Sequence, residues 1–201
     1  KRVATETSAT VNQLPASFCI HGDRFSSMCQ CGNQPDCAGD TSGVPTTCVH
    51  LSIAYDGTRY AGWQIQPGNP TVQGELLKRL RLMLRLPDLK IYGSSRTDAG
   101  VHAYCQVCSF RADTEMSAED ILSALRRYLP EDIGALALEE APPRFHARLS
   151  CTEKSYLYRI WNSGAPNVFE RKYLYRYPGA LDTDAMRRAA QALIGEHDFT
   201  A

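Results

Sequence analysis

Between Val49 and Tyr92 the apolar residues change period twice, and that change constrains the fold more than any other feature. Leu51-Ser52-Ile53-Ala54-Tyr55 alternates apolar with small or polar residues, the two-residue period of a half-buried strand. Asp56-Gly57 ends it with a turn signal, and a polar loop runs through Trp63 to Pro70. From Thr71, a helix N-cap residue, the apolar positions Val72, Leu76, Leu77, Leu80, Met83 and Leu84 recur at helical spacing. Lys78, Arg79, Arg81 and Arg85 fall between them, a basic stripe that reads as a solvated face or as a phosphate track. The pattern then returns to a strand over Leu89–Tyr92. A chain that alternates in this way must build a sheet and cover it with helices.

The remainder extends the same alternation. Ala103–Phe110 is expected as a strand, followed by a helix opened by Ser117-x-x-Asp120 and stopped at Leu129-Pro130. Ile133–Leu138 and Tyr156–Trp161 are expected as strands, the second strongly β-prone. Asp182 opens a last helix with Met186, Ala189, Leu193 and Ile194 on one face and Gly195 as its stop. The order strand, helix, strand, strand, helix, strand, strand, helix predicts an α+β fold: an antiparallel or mixed sheet with helices on one face. Residues 1–48, rich in Ser, Thr, Gly, Pro and Asn without an apolar period, are expected to be a poorly structured extension, and 49–201 the folded domain.

Composition narrows the function classes. The chain of 201 residues carries 22 basic and 22 acidic side chains, a neutrality that argues mildly against nucleic-acid binding. The charge is uneven, however: residues 50–178 hold 17 basic against 14 acidic groups, which permits RNA as a partner. No apolar run approaches the roughly 20 residues that span a bilayer, and no signal segment opens the chain, so no membrane partner is expected. Lys1 in place of Met points to a processed form or a fragment. Five of the eight cysteines come early, at 19, 29, 31, 37 and 48. Their spacing lacks the paired C-x₂-C of a zinc site, so free thiols are preferred to a metal-stabilised module, and no metal is expected. Cys105 and Cys108, three apart in a strand, point to opposite faces. A reducing compartment follows: cytoplasm or an organellar matrix, the mitochondrial one included.

The candidate chemistry lies in the loop between the second and third strands. Asp98 sits among Gly93, Ser94, Ser95, Arg96, Thr97, Ala99 and Gly100. Loops held by a rigid scaffold are where catalytic groups concentrate. Arg96, two residues away, is placed to hold the carboxylate ionised, and an ionised carboxylate serves as nucleophile or base. By itself Asp98-Ala99-Gly100 reads more readily as an ordinary turn.

The run Arg96-Thr97-Asp98-Ala99-Gly100-Val101-His102-Ala103 resembles, at all eight positions, the signature loop of the TruA-type pseudouridine synthases. Tyr55-Asp56-Gly57-Thr58, Tyr60-Ala61-Gly62-Trp63-Gln64, Thr71-Val72-Gln73-Gly74-Glu75-Leu76, Gln106-Val107, Leu129-Pro130-Glu131-Asp132-Ile133, Phe145-His146-Ala147-Arg148, Lys154-Ser155-Tyr156-Leu157-Tyr158 and Gly195-Glu196-His197-Asp198-Phe199 resemble further family segments. The resemblance therefore spans about residues 50–200. It implies a ferredoxin-like half of the synthase fold, with the family's C-terminal half absent beyond Ala201. It also implies an isomerase without cofactor or metal that flips a uridine out of RNA and converts it to pseudouridine. Asp98 is then the catalytic carboxylate. Arg96 displaces the target nucleotide and pairs with Asp98, and Tyr156 stacks on the flipped uracil. Arg148 and Lys154 are candidate phosphate contacts, or solvated surface charges. His102 supports the catalytic loop and is counted among the RNA-binding residues, and His146 belongs to the Phe145-His146-Ala147-Arg148 turn. The implied partner is tRNA, with rRNA as the alternative substrate and a homodimer as the implied assembly. A catalytically weak RNA-binding assembly factor, such as one acting on a ribosome precursor, is the competing expectation.

Overall fold

The computed structural model describes residues 46–198, which fall into two units, 46–151 and 152–198. The cysteines at 19, 29, 31 and 37 and the expected extension up to residue 45 lie outside the described residues.

The first unit interleaves two strand–helix–strand elements. Strand β1 (Thr46–Tyr55) leads through a polar loop to α1 (Val72–Leu84), then β2 (Ile91–Gly93) and β3 (Ala103–Asp113); α2 (Ala118–Tyr128) and β4 (Ile133–Glu140) follow. The sheet order is β2-β3-β1-β4, with every neighbouring pair antiparallel. Hence β1 and β2 run in the same direction with β3 inserted between them, and β3 and β4 do so around β1. This is the ferredoxin-like topology, an α+β fold as the alternation of periods required. The long middle strands pair over most of their length, with Leu51 opposite Cys108 and Val49 opposite Phe110, so both sit where neither face is an edge.

One core joins sheet and helices. Val49, Leu51, Ile53 and Tyr55 of β1 and Cys108, Phe110 and Ala112 of β3 share it with Leu76, Leu80 and Leu84 of α1 and Ile121 and Leu125 of α2. Period two in the strands and period 3.6 in the helices thus turn one set of residues inward. Leu51, Ile53, Leu76, Leu80 and Leu125 are fully buried, each worth about 2 kcal/mol over an exposed position. The helix starts follow the cap chemistry: Thr71 Oγ1 accepts from Gly74 N–H at 3.3 Å, and Ser117 Oγ from Asp120 N–H at 3.1 Å. Helix α1 stops at Leu84, where Arg85 takes a left-handed conformation (φ 56°).

The other sheet face is covered near its middle by the turn Phe145–Ser150. Ala147, 2% exposed, donates its N–H to Ser109 Oγ at 2.9 Å; the Phe145 ring meets His50 edge-on, and Cys48 Sγ–H donates to the Phe145 carbonyl. Strand β1 therefore begins three residues before Val49, where composition places the boundary. Thr46, Thr47 and Cys48 have partner backbone in β3, and pairing, not apolar pattern, sets where the strand starts.

The second unit holds β5 (Ile160–Trp161), paired in parallel with β6 (Tyr175–Arg176), and α3 (Thr183–Gln191) capped by Asp182. Tyr156–Arg159, expected as strand, form no ladder among the described residues. Their β-propensity is real, but a strand exists only where a partner backbone supplies the hydrogen bonds. Leu193 and Ile194 fall beyond α3, and none of that helix's residues is buried.

Candidate active site

The sixteen residues 56–71 and the nine residues 94–102 meet above the end of the sheet. The chain leaves β2 at Gly93 and re-enters β3 at Ala103, so the Asp98 loop is a long hairpin connection. The segment after β1 grips it from one side. Trp63 N–H donates to the Thr97 carbonyl at 3.0 Å, and Gly100 N–H donates to the Tyr60 carbonyl at 3.2 Å. Within the loop, Val101 N–H closes back on the Asp98 carbonyl at 3.2 Å, a turn centred on Ala99 and Gly100. Ser94 N–H reaches the Val107 carbonyl at 2.8 Å and fixes the point where the loop leaves the sheet.

The grip depends on missing side chains. Gly62 has φ +93°, and a Cβ there would collide with the Thr97 carbonyl. A Cβ on Gly57 would overlap the Val101 carbonyl. The gripping segment is itself pinned: Val72 and Gln73 at the start of α1 donate to the Gly62 and Trp63 carbonyls at 3.2 and 3.0 Å, and Ala61 N–H to Pro70 O at 2.8 Å. Trp63, 3% exposed, lies beside Tyr55 and against Gly93.

Asp98 itself is exposed at the crest of this clamp, and so is Arg96. Among the described residues no ion pair joins the two. Both reach into solvent, where pairing gains little. Thr97 between them is half-buried, its hydroxyl 2.8 Å from the Tyr55 hydroxyl. The backbone is thus held on both sides of an open carboxylate, which leaves that carboxylate available to a substrate. His102 sits at the far foot of the loop: its Nδ1 accepts from Gly57 N–H and lies 3.1 Å from Asp56 Oδ1. Below the gripping segment, Asp132 accepts from the Tyr60 hydroxyl at 2.6 Å and pairs with Arg59. Burial first, and then that bond, push the Tyr60 hydroxyl up to about 12.

The other candidates fall in separate places. Arg148 is exposed on the turn that covers the second sheet face. His146, in the same turn, stacks on Tyr92 with ring centroids 4.7 Å apart and accepts at Nδ1 from Arg148 N–H. Tyr156, 59% exposed, and Lys154, partly buried, belong to the second unit. Among the described residues no group of three or more His, Cys, Asp or Glu is placed to hold a metal. The residues that the sequence left without a site role are among those that build the clamp: Tyr55, Gly62, Trp63 and Gln106. One signal for them was present, since Gln106 is a polar residue in the inward series Gln106, Cys108, Phe110, Ala112.

The first unit is thus a ferredoxin-like sheet that carries an open carboxylate on a clamped loop. A family model described as tRNA pseudouridine synthase matches residues 51–150. The chain is 44% identical over 153 residues to the tRNA pseudouridine synthase A of Geobacillus sp. (strain WCH70), covering 76% of this chain and 62% of that protein. It is 45% identical over 156 residues to that of Geobacillus kaustophilus, with 78% and 60% covered, and 43% identical over 153 residues to that of Oceanobacillus iheyensis, with 76% and 60%. The chain belongs to the TruA-type tRNA pseudouridine synthase family. It spans about three fifths of the length of these curated relatives.

Proposed function

We propose that this chain supplies the catalytic carboxylate of an isomerase that converts uridine in tRNA to pseudouridine, with Asp98 as that carboxylate. The observation that carries the reading is the Asp98 loop, eight contiguous residues of family signature held by backbone bonds on both sides while the carboxylate stays exposed. In this reaction the bond from the ribose C1′ to the uracil N1 breaks, the uracil turns, and C5 bonds to C1′. The C5 proton leaves and N1 gains one, so the product is an isomer of the substrate. Asp98 engages the flipped nucleotide, which must leave its stack before a side chain can reach it. Arg96, beside it on the crest, is assigned to displacing the nucleotide, and Tyr156 to stacking on its base. Arg148 and Lys154 are assigned to phosphates. A homodimer is the proposed assembly, and a reducing compartment suits the free thiols of Cys48, Cys105 and Cys108.

Incubation of the protein with uridine-containing tRNA, followed by carbodiimide labelling of pseudouridine, tests the assignment. Asp98→Asn is expected to abolish product while tRNA binding survives. Turnover by Asp98→Asn would sink the assignment. Absence of product from the parent on both tRNA and rRNA would favour the RNA-binding assembly factor instead.

A further inference from the structure

The two loop residues that flank Arg96 are tied to each other through the protein interior. The Tyr55 hydroxyl lies 2.8 Å from Thr97 Oγ1 and donates to Gln106 Oε1 at 3.4 Å. A hydroxyl has one proton to give, so with that proton on Gln106 the Thr97 hydroxyl donates to Tyr55. Gln106 Nε2 in turn donates to the Ser95 carbonyl at 3.0 Å. The chain of bonds runs from Thr97 through Tyr55 and Gln106 back to Ser95, a ring closed by the backbone of Arg96. Tyr55 and Gln106 are each 4% exposed. Burying an amide and a phenol among apolar neighbours is unfavourable unless both are bonded, so this placement has a use beyond filling space.

We propose that Tyr55 and Gln106 are positioning residues of the reaction: through this relay they fix the backbone on both sides of Arg96 and so set where the Asp98 carboxylate stands. The inference rests on Asp98 being the catalytic group. Neither residue touches substrate. Their effect is on the fraction of bound complexes in which the carboxylate is in place, because small displacements of a reacting group cost rate steeply. A two-ended tie also explains why the loop needs no ion pair between Arg96 and Asp98 to keep its shape.

Tyr55→Phe removes only the relay's central hydroxyl, and Thr97→Val removes its outer one. Each is expected to lower kcat on tRNA about tenfold with KM within about twofold, the loss of one buried hydrogen bond that orients a reacting group. Thr97→Ser keeps the hydroxyl and should turn over near the parental rate. The double variant should be no slower than either single one, since both cut the same relay. Amide exchange supplies a readout independent of turnover. In Tyr55→Phe, the Trp63, Gly100 and Val101 amides should exchange faster, with the amides pairing β1 to β4 unchanged. Parental kcat in Tyr55→Phe and Thr97→Val, a loss carried by KM alone, or unaltered exchange at those three amides would each overturn the relay while leaving Asp98 in its role. An inactive parent would overturn the reading of Asp98, and this proposal with it.

Discussion

Gly62 shows how a residue with no side chain decides the position of one that has chemistry. Its φ of +93° belongs to the left-handed half of conformational space, and the space where a Cβ would stand holds the Thr97 carbonyl. Gly62→Ala must therefore shift the loop or break the Trp63–Thr97 bond. Activity on tRNA should fall by about 100-fold, with the unfolding midpoint in urea lowered by the equivalent of about 2 kcal/mol. A variant that keeps parental kcat would show that the clamp is ornamental. At this scale the sequence was legible in part. The Asp98 loop announced itself by its eight-residue pattern, and Asp56-Gly57 by its turn chemistry. Tyr55 and Gln106 did not, because a strand pattern records which face a residue occupies and says nothing about the partner its hydroxyl or amide finds across 42 to 51 residues of chain.

Helices and strands were legible wherever the local pattern and the tertiary partner agree. The caps at Thr71 and Ser117 and the inward faces of α1 and α2 follow from the sequence alone. Disagreement arises where a partner decides. Thr46–Cys48 join β1 because β3 is there to receive them, whereas Tyr156–Arg159 stay out of a ladder despite their two tyrosines. The end of α1 is decided by a single strained residue. Arg85 holds φ 56°, which for a residue with a Cβ costs about 1 kcal/mol relative to glycine. Arg85→Gly should stabilise the protein by about that amount, read as a raised urea midpoint at unchanged slope. A lower midpoint would mean that the Arg85 side chain holds contacts that outweigh its backbone.

The whole first unit is a sheet covered on both sides, by helices on one and by the Phe145–Ser150 turn on the other. That second cover puts His50 partly out of water. Burial lowers its pKa from the ordinary 6.5, with Glu139 opposing in part. The native state thus binds this proton less readily than the unfolded chain does. Stability from this source is complete above pH about 6.5 and declines as pH falls below it, because unfolding then takes up a proton that folding had refused. His50→Phe should flatten the fall in urea midpoint between pH 7.5 and 5. An equally steep fall would assign the acid sensitivity to the carboxylates.

The clamp around Asp98 has a consequence for the RNA. A loop tied by backbone bonds at Trp63, Gly100 and Ser94, and through Thr97 and Ser95 to the interior, has little freedom to follow its substrate. Under the proposed function the motion of recognition falls to the nucleotide, and the uridines that reach Asp98 soonest are those that already leave their stack with least work, in loops and bends of the RNA rather than within a paired stem.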